Sequence, residues 1–261
     1  MNILVCIKQV PGTSNVNVDP DTGTLIRDGA AAKMNPYDLT ALETALKLKE
    51  KHGGKITAVS MGPDSAKEVL KEAIYMGADE GILVSDRKFG GADVLATSYT
   101  LGSAISANTD YDLILCGKQT TDGDTAQVGP ELSSHLGIPF LAYVRSLEAD
   151  GGCLNYCANL DSKIIEGKIS LPCLICMDAE VNTPRLPSYK RKSAYGNCEQ
   201  LIRVITFSDL QDQDESHYGL KGSATRVEKI FEPQNDFEKQ IISQGDLGLA
   251  AFNILKEHKF I

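Results

Sequence analysis

Residues 111–137 read YDLILC-GKQTTDGDTAQVGP-ELSSHLG, and the order of those three pieces decides the fold. YDLILC is a short apolar run bounded by turn residues, which predicts a buried strand. ELSSHLG predicts a helix. Between them, residues 117–130 form a polar loop of the kind found at the carboxyl end of a parallel strand, where open α/β sheets collect their ligands. Gly117, Gly123 and Gly129 allow close backbone approach, Thr120, Thr121 and Thr125 offer hydroxyls, and Gln127 adds an amide. The N-terminus of the following helix favours an anion. Asp122 and Asp124 stand where a standard phosphate loop would carry a lysine, and the chain has no GxGxxG. Backbone amides and threonine hydroxyls are then left to hold phosphate, with the two aspartates facing ribose or ring hydroxyls, or a ring N–H. An acidic, well-capped surface turn is the alternative reading of the same residues.

The strand–helix alternation extends upstream. ILVCIKQV (3–10) reads as the first strand and NVNVDPDTGTLIRDG (15–29) as a hairpin-like excursion with D-P and T-G turns. Asn35-Pro36 opens a helix with proline at its favoured first position, Glu43 and Lys47 pair along it, and Gly53-Gly54 stops it. KITAVSM (55–61) is a strand, and Ser65 and Glu68 have the spacing of a capping box for a helix to about Met76. GILVS (81–85), the turn FGGAD (89–93) and a helix from about Ala92 to Ala107 complete the run. This order predicts the α/β class: a doubly wound, mostly parallel sheet with helices on both faces. Beyond residue 140, LNYCANL, SKIIEGKIS and LPCLICMD are short strands with turns between, expected to add an antiparallel ribbon. From about residue 208 apolar density falls, so the chain divides into residues 1–207 and an extended C-terminal arm, 208–261, ending in the helix GLAAFNILKEH. That arm lacks a core of its own; a partner surface, or an exposed tail, is where it belongs.

The formal charge of −9 excludes nucleic acid and anionic membranes as principal partners, since both attract basic faces. No apolar run reaches transmembrane length, and ILVCI lies too close to Met1 for a signal peptide, so a cytoplasmic chain is expected. The seven cysteines sit mostly in apolar surroundings and read as reduced thiols. Cys153, Cys157, Cys173 and Cys176 have a zinc-like spacing. However, side chains three apart on a strand such as LPCLICM face opposite ways, so no metal is expected.

GKQTTDGDTAQVGP, with MNPYDLTALETALKLKEKHGG, AVSMGP and MGADEGILVSD, closely resembles the β subunit of electron-transfer flavoproteins. The resemblance runs from ILVCIKQVP through LPCLICMDAEVNTPR and continues weakly in YGLKGSATRVEKIF. It implies a heterodimer with an electron-transfer flavoprotein α subunit that carries one FAD, while the β subunit holds a second nucleotide. That nucleotide is a structural AMP in ordinary members and a second FAD, reduced by NADH, in electron-bifurcating ones. Carried over residue by residue, the pocket falls on Cys6, on Asn35, Pro36, Tyr37 and Asp38, on Met61, and on the loop from Thr120 to Glu131. The loop part comprises Thr120, Thr121, Asp122, Gly123, Asp124, Thr125, Ala126, Gln127, Val128 and Gly129 before Pro130 and Glu131. None is an acid, base or nucleophile in the usual sense, so no catalytic residue is assigned; the flavin does the redox chemistry.

DGDTAQVG resembles the bifurcating group, because Gly123 leaves room where AMP-binding members tend to carry a bulkier, acidic residue. Phe89-Gly90-Gly91-Ala92-Asp93, with Thr97 a turn further on, resembles the turn beside the isoalloxazine where NADH approaches. The cofactor expected is therefore FAD, with AMP as the alternative, and NAD(H) as transient substrate. The expected function is hydride acceptance from NADH and bifurcation between ferredoxin or flavodoxin and a flavin-dependent dehydrogenase. The segment 182–196 lies where the family places its recognition loop for that dehydrogenase, with Tyr189 as anchor and Lys190, Arg191 and Lys192 meeting an acidic surface. RLPSYKRK points to a 2-hydroxyacid (lactate-type) dehydrogenase over an acyl-CoA dehydrogenase. A conventional single-electron carrier with AMP and a nucleotide-binding module without a redox role are the competing readings.

Overall fold

Short apolar runs that alternate with amphipathic segments have one stable arrangement: strands side by side, buried on both faces, with the intervening segments as helices above and below. The computed structural model has this arrangement, and it describes residues 1–12, 17–18, 25–26, 32–179, 181–226 and 241–261. Its strands are β1 (Asn2–Cys6), β2 (Gln9–Pro11), β3 (Asn17–Val18), β4 (Leu25–Ile26), β5 (Ala32–Met34), β6 (Lys55–Met61) and β7 (Glu80–Val84), followed by β8 (Leu113–Gly117), β9 (Phe140–Asp150), β10 (Cys153–Leu160), β11 (Lys163–Ser170), β12 (Cys173–Met177) and β13 (Ile202–Ile205). The helices are α1 (Pro36–His52), α2 (Lys67–Met76), α3 (Val94–Asn108), α4 (Val128–Leu136), α5 (Tyr189–Tyr195), α6 (Gly219–Gly222) and α7 (Leu247–Glu257).

Nine strands form one sheet in the order β11-β10-β9-β12-β8-β1-β6-β7-β13. All pairings from β9 to β13 are parallel; β10 and β11 join antiparallel beyond β9. The chain passes from β1 through α1 to β6, and through α2 to β7. It then returns by α3 to β8 on the other side of β1. The strand order reverses between β1 and β8, which opens a crevice at their carboxyl ends. Alternation along the strands splits the core in two. Ile3, Val5, Leu113, Leu115 and Ile175 face α1 and α2, while Leu4, Ile114, Cys116, Leu174 and Cys176 face α3 and α4.

The expected excursion at residues 15–29 pairs β3 with β4, Asn17 opposite Ile26 and Val18 opposite Leu25; its connecting turn lies outside the described residues. Two expectations are corrected. LPCLICMD does not extend the antiparallel ribbon: β12 is buried at every position and inserts in parallel between β9 and β8. Its near-continuous apolar run is the signature of a strand covered on both faces. The Ser65–Glu68 capping box does not form. The Ser65 hydroxyl instead donates to Gln9 Oε1 at 3.0 Å, and a 3-10 turn, Asp64–Ala66, leads into α2. Residues on both sides of 207/208 pack on the core. β13 completes the sheet edge, and Phe207, Leu210 and Tyr218 are buried against Phe89 and α3.

Leu115 is fully buried on the central strand β8. Leu115→Ala should lower unfolding stability by about 3 kcal/mol through lost burial and a residual cavity, read as a drop in the urea midpoint with unchanged slope.

Candidate functional site

The carboxyl edge of the sheet is organised by the residues that open α1. Asn35 is fully buried. As the residue before Pro36 it makes no side-chain cap, which frees its amide to donate to Gln119 O (2.8 Å) and accept from Thr121 N (3.3 Å). Its own N–H donates to Lys8 O (2.9 Å). Asp38, one turn on, accepts from Lys8 N at 2.8 Å and from Gly117 N. The loops after β1 and β8 are thus both tied to the first turn of α1. Only glycine permits this at 117, where a Cβ would lie 2.4 Å from Asp38 Oδ1 and 2.6 Å from the Tyr37 carbonyl carbon. Gly129 plays the same part at the start of α4, because a Cβ there would meet Cys176 Sγ at 2.3 Å.

Burial pushes the Asp38 carboxyl up to about 7, against the opposing pull of the Asn35 side chain and the Lys8 and Gly117 amides. Asp122 shows the reverse balance. Burial raises it, but the Lys8 ammonium, 2.7 Å away, and the Thr120 hydroxyl outweigh that and hold the carboxyl below its usual range. Asp124 accepts from Gln119 Nε2 at 2.8 Å. Asp124 therefore ties the loop from within, while the cation set against Asp122 comes from just past the end of β1. The Lys8 ammonium arrives through the fold, although its place two residues past Cys6 in ILVCIKQV is the signal that could have found it.

The loop itself is open. Asp124 (φ 51°) and Ala126 (φ 55°) adopt the left-handed region without being glycine, a conformation that costs on the order of 1 kcal/mol each and is typical of binding loops. A Cβ on Gly123 would have only Thr120 Oγ1 near it, at 3.3 Å. Among the described residues, the exposed Thr125 and Gln127 side chains have no hydrogen-bond partner. α4 starts with no side-chain cap, which leaves its first N–H groups directed at whatever occupies the crevice. An exposed glycine at 123, uncommitted polar side chains and an uncapped helix start are features that could hold a nucleotide phosphate. Cys6 and Met61 are half-buried at the carboxyl ends of β1 and β6, packed on the α3–α4 side.

Gly91, Ala92, Asp93 and Thr97 follow β7 at the turn into α3, and Gly91 and Asp93 contact the C-terminal segment. Asp93 caps α3 through Ala96 N (3.0 Å) and also accepts from Thr225 N (2.8 Å) and Thr225 Oγ1 (3.0 Å). Its carboxyl, raised by burial, is held below the ordinary range by those donors. Gly91 (φ +74°) has Leu220 against it, and Leu220 N donates to Gly90 O at 3.0 Å. Residues 219–225 thus form the outer wall of this turn, a contact too distant in sequence for any local pattern to report.

Two outcomes are expected. Asn35→Ala removes both bonds to the loop, and amide hydrogen exchange at residues 119–124 should accelerate at least tenfold while the sheet core stays protected. Asp38 keeps a proton in the folded state that an unfolded aspartate, titrating near about 4, has lost. Stability should therefore fall as pH rises from about 4 to about 7 and level off above, by on the order of a few kcal/mol. Asp38→Asn should flatten that slope in a pH series of urea unfolding midpoints.

The electron transfer flavoprotein domain matches residues 22–201 of this chain. The chain is 42% identical to the electron transfer flavoprotein subunit beta of Clostridium acetobutylicum, with 100% of each covered. It is 41% identical to subunit CarD of the caffeyl-CoA reductase-Etf complex of Acetobacterium woodii, over 89% of this chain and 88% of the relative. It is likewise 41% identical to the acryloyl-CoA reductase electron transfer subunit gamma of Anaerotignum propionicum, over 89% of both. With the doubly wound sheet and the open β8–α4 loop already in place, these matches establish that the chain belongs to the electron transfer flavoprotein family, as a β-type subunit acting in electron transfer.

Proposed function

We propose that this subunit holds a second FAD, accepts a hydride from NADH, and takes part in electron bifurcation between ferredoxin or flavodoxin and a flavin-dependent dehydrogenase, in a heterodimer with an electron-transfer flavoprotein α subunit. The observation that carries this reading is the glycine at 123 in an exposed loop, where even a Cβ would press on Thr120 Oγ1 at 3.3 Å, so that a bulkier side chain is absent from the place where the flavin would continue from the diphosphate. The N–H groups at the start of α4, with Thr125 and Gln127, bind the diphosphate. Lys8 neutralises Asp122, which would otherwise repel it. Asn35 and Asp38 fix the loop, and the Gly91 turn gives NADH a close approach. The bound flavin supplies the redox chemistry, so the chain's own residues position and exclude water.

Partner contacts have their own support. The segment after β12 is rooted on α1 by Arg185, which donates to Glu43 through Nε (2.8 Å) and Nη2 (3.0 Å), and by Asn182, whose amide donates to Thr40 O and Thr44 Oγ1. Arg191 is used inside the chain: its guanidinium caps the end of α2 through Ile74 O (2.7 Å) and Ala78 O (2.6 Å). The rigid root therefore presents Leu186 and Tyr189, 87% and 85% exposed, beside Lys190 and Lys192 as the face offered to the dehydrogenase. The sequence of that segment favours a 2-hydroxyacid dehydrogenase; the two reductase-linked relatives favour an acyl-CoA type as second reading. The exposed apolar side chains of α7 (Leu247, Leu249, Phe252 and Leu255) are assigned to the α subunit.

Nucleotides released by heat from the coexpressed, purified heterodimer test the cofactor. Two FAD per dimer is expected; one FAD and one AMP would make this a conventional carrier. Gly123→Asp should lower FAD occupancy at least severalfold by adding bulk and charge, and unchanged occupancy would remove this loop from the flavin path. Tyr189→Ala should slow transfer to the dehydrogenase while leaving flavin content intact.

A further inference from the structure

β1, β8 and β12 lie side by side in the sheet, and each carries a cysteine near its carboxyl end. Cys116 faces Cys176 directly across the ladder. On the other side Val5 faces Leu115, so the next residue of β1, Cys6, comes level with Cys116. All three side chains pack on the α3–α4 face, where Cys116 and Cys176 are buried and Cys6 keeps part of its surface exposed. The result is a row of thiols across adjacent strands with one reachable end. Hydrogen bonds with Cys176 and with Cys6, together with burial, push the Cys116 thiol well above its usual range. Cys116 therefore stays protonated and does not react first with an electrophile.

The two neighbours of Cys116 differ in freedom. Cys176 Sγ is wedged under the first turn of α4, where a Cβ on Gly129 would meet it at 2.3 Å. Cys6 is the last residue of β1 and is half-exposed. Adjacent strands stand about 4.8 Å apart, inside the Cα separation of about 4.4–6.8 Å that a disulfide spans. We propose that Cys6 is an oxidation site for hydroperoxides, with Cys116 as its resolving partner in a reversible disulfide. The Cys6 sulfur attacks the O–O bond, an S–O bond forms, and water or an alcohol leaves, so that two electrons pass from sulfur to the peroxide. The Cys116 sulfur then attacks the Cys6 sulfenic acid. The S–S bond forms as the S–O bond breaks, and the Cys116 proton departs with the hydroxyl as water. A thiol reductant reverses the linkage by exchange at the exposed Cys6 sulfur. The bond joins β1 to β8 two residues before Lys8 and one before Gly117, whose N–H groups both donate to Asp38. This chemistry does not depend on which nucleotide the crevice holds.

The test is oxidation of the reduced full-length chain with hydrogen peroxide, then alkylation of free thiols and peptide mapping by mass without reductant. A Cys6–Cys116 peptide pair short of two hydrogens is expected, and dithiothreitol should return both thiols. In Cys116→Ser a sulfenic acid should persist on Cys6, trapped by dimedone at a yield at least fivefold above wild type. In Cys6→Ser, with an unchanged circular dichroism spectrum, oxidation of Cys116 should slow at least tenfold. Three results would overturn the site: a Cys116–Cys176 linkage as the main product, Cys6 left reduced while the half-buried Cys153 and Cys157 oxidise, or Cys116 oxidised at the wild-type rate in Cys6→Ser. A dimedone yield on Cys6 that is the same with and without Cys116 would overturn the resolving role.

Discussion

Gly117 lets the chain leaving β8 pass against the first turn of α1, and Asp38 and Asn35 close hydrogen bonds across that contact. The rest of the carboxyl edge depends on this junction. It binds the two strands on either side of the topological switch, β1 and β8, to one helix start. It thereby sets where Lys8 meets Asp122 and where the exposed loop begins its left-handed course through Asp124 and Ala126. The amide of Asn35 and the carboxyl of Asp38 can be buried because each polar atom has a defined partner. A buried group without one costs more than the bond it fails to make.

The same economy explains why the loop can stay open. The proposed nucleotide cradle needs exposed backbone and unspent polar groups, which are unfavourable in an isolated chain. Here they are concentrated at Gly123, Thr125, Gln127 and the first turn of α4, while everything beneath them is close-packed: Gly129 on Cys176, Ser98 Oγ on Glu131 Oε2 at 2.9 Å. The rigid part and the receptive part are adjacent but distinct. A similar division holds at the segment after β12, where Arg185 and Arg191 are turned inward so that Leu186 and Tyr189 can be held outward.

Some readings of local pattern were sound because their causes are local. Pro36 and Gly53 delimit α1 through backbone geometry that a few residues fix by themselves. Cys173 and Cys176 fall on opposite faces because a strand alternates whatever surrounds it. Other readings failed where a distant partner outbid the local one. Ser65 had the spacing of a capping box, yet its hydroxyl went to Gln9, 56 positions away. Arg191 looked like one of three surface cations until the end of α2 supplied two carbonyls for it.

The order of apolar runs and turns by itself determined a parallel, doubly wound sheet, and the family motifs marked the polar loop after β8 as the candidate for the ligand; both follow from periodicity and from residue types that act over a few positions. Only the tertiary structure decided that β12 lies between β9 and β8, that residues 219–225 wall the Gly91 turn, and that Lys8 provides the charge the acidic loop lacks. Strand neighbours and charge partners are chosen by which surfaces and which unsatisfied groups meet once the sheet has formed. Lys8 and Asp122 are separated by 114 positions along the chain, and no spacing rule operates over such a distance.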